Sequence, residues 1–459
     1  MGKKSKVLKF LDNKSENTKQ SYYTPIRWYE EFHGTSIENL IVEALDEQSQ
    51  GVPQHKLKVI DRIEEFQEYL INQKMVYGTV TLYVARIKSI YHKNRVDLPY
   101  IETINSKKVN RREYLEFKDV LTKEELKCAL NHMAPTARAR AMAMIQGGLS
   151  NEECEHLTTT QFINDTYKYH KCDDKVDALK WLAVHPIIWV VKLIRVKTGK
   201  PYYAILGGEA INSIASAKLH EMTLGKYNGE IPEKLFASAK TTFNESCRRV
   251  NDKCNLGYAG AVHYEEDTGD DGVIIIRRAL FRNFKMISDI KYKIIKEDDI
   301  VKIVTKPNIL IEYELGGEAR FRPHNLRRFH ATYIGGSALS YEEHSLISNA
   351  EIDEMQGRGK TSVQDTYIKT NPLRQKVLYA KVMNNVSLYH EYDYQIIDDD
   401  VEIWVRDQLS ENKKLKNENK ILKKQLQQKQ QASEKVQKLR EELGDDTFKE
   451  LIGEILNAT

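Results

Sequence analysis

Through roughly the first hundred positions, apolar residues recur at helical spacing. Tyr22, Ile26 and Tyr29 share one face over about 16–31, and Ile60, Ile63, Phe66, Tyr69 and Leu70 share another over 58–72. Val80, Tyr83, Val84, Ile87, Ile90 and Tyr91 repeat the pattern after Gly78, and Pro99 ends the run. This period predicts three amphipathic helices. The next start signal is Thr122, an N-cap with Glu125 at the capping-box position. A helix of small and apolar residues follows, broken at Gly147-Gly148, with a second capping box at Ser150 and Glu153. After a variable hairpin, HPIIWVVKLIRVKTGKPYYAIL predicts two strands about a Thr198-Gly199 turn. Strand alternation places Arg195 and Lys197 on one face. Glu209 to Met222 predicts a helix, and VIIIRR, IKYKII, DIVKIV and ILIEYEL predict strands between Gly257 and Arg320. LRQKVLYAKVMNNVSL predicts a late helix.

From about Asp398 the pattern changes again. Leu415, Leu422, Val436 and Leu443 fall on a seven-residue repeat, with Asn412, Asn419 and Leu426 at the second seam position. Lys429, Ser433 and Arg440 interrupt it. Buried Asn at such a seam favours two parallel strands; a solvated single helix is the alternative. The resulting division is a helical domain over 1–105, a basic linker over 106–120, a mixed domain over 121–397 with a β-rich insertion at about 257–320, and a helical or coiled-coil tail over 398–459. The fold class is α+β, multidomain.

Composition narrows the function. The 459 residues are 41% hydrophobic and 30% charged, with no apolar run near the ~18 residues of a membrane span. The start MGKKSKVLKF lacks a signal-peptide apolar core, so a cytoplasmic protein is expected. Net charge is only +4, so any grip on nucleic acid comes from local clustering of the 70 Lys and Arg residues. The cysteines form no C-x-x-C pair and no His/Cys metal spacing, which predicts reduced thiols, no zinc and no cofactor.

Chemistry concentrates between Arg322 and Thr370. PHNLRRFHATYI places His324 three residues before Arg327, on one face of a helix. A proton-handling group beside a permanent cation suits a phosphate ester under attack. MQGRGKTSVQDTYIKTNP then supplies Arg358 and Tyr367. The H-x-x-R followed about forty residues later by G-[H/R]-x-n-Y resembles the tyrosine recombinases, or phage-integrase family, closest to archaeal and archaeal-virus integrases. The ARARAMAMIQGGLSNEECEHL segment resembles that family's first box, and the helical order over 1–105 resembles its DNA-clamping module.

The resemblance implies a role for each residue. Tyr367 attacks the phosphate to give a 3′-phosphotyrosyl link, Arg327 and Arg358 hold its oxygens, His324 assists proton transfer, and Lys197 protonates the departing 5′-oxygen. Arg358 stands where most members carry His. Ser150 stands where the family has a phosphate-binding Arg. Arg138 and Arg140 lie about 15 Å upstream along their helix, so Arg195 is the expected substitute and Arg328 the next. Arg86, Ser89 and Lys93 on the third helix, Lys107, Lys108, Arg111 and Arg112 in the linker, and Arg328 are candidate DNA contacts. The partners implied are double-stranded DNA at attachment-type sites and further copies of the chain. Three readings follow: a site-specific recombinase, a type IB topoisomerase-like enzyme, and a weak or inactive DNA-binding protein on the same scaffold.

Overall fold

The computed structural model describes residues 6–102, 119–278, 280–281, 283–335, 347–358 and 371–392, together with 420, 422, 423, 438 and 444. The nucleophile candidate Tyr367, the linker cations Lys107, Lys108, Arg111 and Arg112, and nearly all of the heptad tail lie outside the described residues. Thirteen α-helices and eight β-strands are formed among those described. In chain order they begin with α1 (Glu16–His33), α2 (Ile37–Ser49), α3 (Lys58–Asn72), α4 (Tyr77–Lys93), α5 (Lys123–Asn131), α6 (Pro135–Gly147), α7 (Thr159–His170) and α8 (Lys175–Val184). A hairpin of β1 (Trp189–Ile194) and β2 (Pro201–Leu206) precedes α9 (Gly208–Met222) and α10 (Lys240–Lys253). Then come β3 (Tyr258–Asp267), β4 (Val273–Arg277), β5 (Lys285–Met286), β6 (Lys293–Lys296), β7 (Ile300–Val304) and β8 (Leu310–Ala319). Last are α11 (Pro323–Ile334), α12 (Asn349–Met355) and α13 (Pro372–Val386). No helix among the described residues is long and apolar enough to cross a membrane.

The chain packs as two compact units, each drawn from two separate stretches. Met1–Leu121 and Asn251–Phe321 form the first, and Thr122–Val250 and Arg322–Thr459 the second. The first unit contains α1 to α4 around Tyr29, Ile63, Phe66, Leu70, Ile87 and Tyr91. The helix α1 opens on Ser15, whose hydroxyl accepts the Thr18 N–H, and closes on Gly34 at φ 64. The periodic pattern did not reveal α2, which is short and has Ser36 as its cap and Leu40, Ile41 and Ala44 as its buried side.

The β-rich stretch packs into this same unit, not into the domain of 121–397 where the sequence pattern put it. Its strands form two antiparallel sheets of order β3-β8-β5 and β4-β7-β6. Their apolar sides meet in one cluster of Val262, Tyr264, Ile274, Ile276, Ile303, Ile311, Tyr313 and Leu315. Two side chains explain the placement. Arg277 stacks on Trp28 at 4.5 Å and donates to Glu31 at 2.8 Å, Tyr69 at 2.7 Å and Asp299 at 3.0 Å. Lys74 donates to Tyr313 at 2.8 Å and pairs with Glu266. Arg277 is therefore engaged within this unit.

The second unit is built on α6, which is buried on almost every side from Ala139 to Gly147. The capping box predicted at Thr122 and Glu125 is present. The segment read as a variable hairpin is instead two helices, α7 and α8. Thr158 caps the first, accepting the Gln161 N–H, and Asp174 caps the second, accepting those of Val176 and Asp177. Cys128 on α5 and His132 at its C-cap stand one turn apart, a His/Cys spacing that a search for C-x-x-C pairs passes over; His132 Nδ1 lies 2.9 Å from the Cys128 carbonyl.

Candidate active site

The β1–β2 hairpin sets the first cation. Trp189, Val191 and Leu193 are buried while Lys192 and Ile194 are exposed, so alternation carries Arg195 inward at the strand's end. The strand stops there. The Arg195 carbonyl accepts N–H bonds from Thr198 at 3.1 Å and Gly199 at 2.7 Å, and Gly199 sits at φ 69. Lys197 thus lies in the turn and is exposed, not two strand positions along the same face from Arg195.

The helix α11 sets the second. Pro323 occupies its first turn, and His324, Arg327 and His330 follow at three-residue intervals. Arg327 is 5% exposed and Glu153 only 1%. Glu153 receives both cations: Arg195 Nη1 at 3.0 Å on one oxygen and Arg327 Nη1 at 3.3 Å on the other. The backbone carbonyl of Gln356, just past α12, accepts from Arg195 Nη1 at 3.0 Å and from Arg327 Nη2 as well. Two guanidiniums therefore converge on one carboxylate and one carbonyl. Burial first, and then the neighbouring Arg195 charge, push the Arg327 pKa down to about 10. Two guanidiniums against one carboxylate leave this cluster with a net positive charge.

Ser150 serves as a cap. Its N–H donates to Glu153 at 2.7 Å and its hydroxyl accepts the Glu153 N–H at 3.3 Å, so it fixes the turn that presents Glu153. Arg140, fully buried, braces the same loop by donating at 2.6 Å to each of the Asn151 and Ser238 carbonyls. Arg138 donates to the Leu130 carbonyl at 2.9 Å. Both guanidiniums donate to main-chain carbonyls.

His324 is exposed at the rim, yet partial desolvation, followed by Arg322, Arg328, Arg358 and Arg327, holds its pKa below the usual histidine value. It is neutral at pH 7 and able to accept a proton. Arg358 is exposed and pairs with Asp353 at 3.3 Å. Gly357 has φ 62, and a Cβ there would meet the Tyr202 ring at 2.7 Å. Tyr202 brings its hydroxyl toward Glu153; burial, then that carboxylate, raise its pKa far above the phenol range. In the first unit, Arg86 lies 4.7 Å over the Tyr22 ring and Ser89 bonds the Tyr22 hydroxyl at 3.2 Å, while Lys93 is exposed.

Sequence reasoning did not single out Gln356, His330 or Tyr202. His330 was visible as the next step of the same three-residue spacing, H-x-x-R-x-x-H. Gln356 acts through its main chain, which no side-chain motif reports.

No protein-family model matches this chain, and no curated protein does. Among solved structures, the crystal structure of XerA recombinase is similar at 13% identity, covering 80% of this chain and 94% of that one, with a TM-score of 0.28.

Proposed function

We propose that this protein is a site-specific DNA recombinase that cuts and rejoins DNA through a 3′-phosphotyrosyl intermediate. The observation that carries the reading is the convergence of Arg195 and Arg327 on Glu153 and the Gln356 carbonyl. On this reading Arg195, which shares Glu153 and the Gln356 carbonyl with Arg327, makes the phosphate contact that Ser150 cannot make. On this reading the phenolic oxygen of Tyr367 bonds to phosphorus and the bond to the 5′-oxygen breaks. His324, neutral at pH 7, takes the phenolic proton, and Lys197 gives one to the leaving oxygen. Arg195, Arg327 and Arg358 offset the charge that builds on the non-bridging oxygens. The ester energy is retained in the phosphotyrosine, so rejoining needs no nucleotide. Double-stranded DNA is the proposed partner, contacted outside the site by Lys93, Arg328 and the linker cations.

The test is a nicked duplex bearing a candidate attachment site, incubated with protein and resolved under denaturing conditions. Covalent adduct with the parent and none with Tyr367→Phe is the expected result. Arg195→Ala should cut the cleavage rate at saturating DNA by ~10²-fold or more. A rate within threefold of the parent refutes its place in the site, since loss of a flanking phosphate contact weakens binding and lowers the salt slope by about one unit instead. Ser150, bonded to Glu153 and carrying no charge, favours a second reading, a DNA-binding protein without cleavage; binding without any adduct would select it.

A further inference from the structure

Gln356 is fully buried and is bonded at both ends of its residue. Its carbonyl holds Arg195 and Arg327. Its side-chain Nε2 donates to the Arg327 carbonyl at 3.1 Å and lies 2.9 Å from His330 Nδ1. The amide orientation follows from chemistry, because only the NH₂ end can face a carbonyl. His330 Nδ1 is then the acceptor. His330 is 1% exposed, and burial, with Arg327 and Arg358 adding to it, pushes its pKa down to about 3, so the ring is neutral and Nδ1 keeps its lone pair. Gly148 at φ 60 makes room: a Cβ there would lie 2.6 Å from His330 Nδ1 and 3.0 Å from Gln356 Cγ.

Packing alone does not account for a glutamine here. Among the described residues Gln356 Oε1 is buried without a hydrogen-bond partner, a cost that leucine or methionine at the same position would not incur. The cost is offset by what Nε2 secures. Three pieces of chain meet at the pair: the end of α6 at Gly148, the middle of α11 at Arg327 and His330, and the residue after α12.

We propose that Gln356 and His330 are positioning residues, whose amide–imidazole bond fixes the main chain at 356 so that its carbonyl holds the Arg195 and Arg327 guanidiniums at the spacing a phosphate group requires. The proposal rests on the reading of those two arginines as the phosphate-holding pair. It adds a layer behind them: neither Gln356 nor His330 touches substrate, and both act through a backbone oxygen.

The experiment titrates the full chain with inorganic phosphate by calorimetry, with melting curves to verify folding, and compares the parent with Gln356→Leu, His330→Phe, the double variant combining these two, His330→Asn and Arg327→Ala. Phenylalanine fills the histidine's volume without an acceptor, whereas asparagine is smaller and places Oδ1 near the former Nδ1. A positional hydrogen bond and a packing role therefore predict opposite orders. Gln356→Leu and His330→Phe are expected to weaken phosphate binding by about tenfold each, the double variant by no more than either single, and His330→Asn by less than about threefold. Parent-like affinity in folded Gln356→Leu overturns the proposal, as does His330→Asn binding no better than His330→Phe. If His330→Phe melts below the assay temperature, Gln356→Leu set against His330→Asn decides by the same criteria. If Arg327→Ala binds phosphate as the parent does, the arginine pair is not the phosphate site, and that separate result removes both the reading and the inference.

Discussion

His330 ties part of the stability in acid to one residue. Unfolded, an imidazole takes up a proton below about pH 6.5; folded, this one stays neutral down to about 3. Across that window the unfolded chain binds more protons, so stability falls as pH falls. Between pH 6.5 and 5 the loss should reach about 1.6 kcal/mol. Denaturant unfolding of the parent and His330→Phe at those two pH values checks it, because the variant should lose that part of the slope. Gly357 is a second single-residue constraint. With φ 62 and the Tyr202 ring where a Cβ would go, Gly357→Ala should destabilise the second unit by about 1–3 kcal/mol, read in the same unfolding experiment. A parent-like midpoint would mean that Tyr202 moves aside without cost.

For elements, legibility followed the strength of the period. In α3 and α4, Ile63, Phe66, Leu70, Val80, Val84 and Ile87 recur on one face and are buried, and both helices lie where the pattern places them. The helix α7 was missed because its apolar face is thin, and α8 because its apolar residues lie on all sides of ten residues; their starts were signalled by Thr158 and Asp174, caps without a strong periodic run behind them. The hairpin was legible as a pair of strands and misread at its tip, because the N–H groups of Thr198 and Gly199 both turn back to the Arg195 carbonyl and end the alternation. That correction separates two lysine and arginine roles which alternation had merged: Arg195 faces inward, and Lys197 is presented on a turn. Lys197→Ala should therefore change stability by less than ~0.5 kcal/mol. On the proposed mechanism it should slow cleavage by about 10²-fold or more. A substrate with sulfur in place of the 5′-oxygen, whose thiolate leaves without a proton, should restore most of the rate. Persistent slowness with that substrate would deny Lys197 the role of acid.

At the scale of the molecule, sequence order and spatial grouping part company. Patterns along the chain predict a β-rich insertion within the domain that follows the linker, since neighbours in sequence are usually neighbours in space. Nothing in a strand pattern reports that Arg277 will find Trp28, Glu31 and Tyr69. Replacing it tests that grouping. Arg277→Leu should lower the stability of the first unit by about 1–3 kcal/mol through lost stacking and hydrogen bonds, since Glu31 and Asp299 are exposed enough to be rehydrated. Unchanged thermal unfolding would show that the apolar cluster alone holds the sheets to the helices.

The spacing of the two arginine–glutamate pairs along the chain has a consequence in time. Arg195 follows Glu153 by 42 residues, whereas Arg327 follows it by 174. During synthesis at roughly 5–20 residues per second, Glu153 and Arg195 leave the ribosome on the order of ten seconds before their third member exists. In that interval the carboxylate has one guanidinium, and the Gln356 carbonyl that bridges them has not been made. The site closes only after the whole of Asn251–Phe321 has been translated. A nascent chain, or one truncated before Arg327, consequently carries only one of the two guanidiniums, with its charge already matched by Glu153.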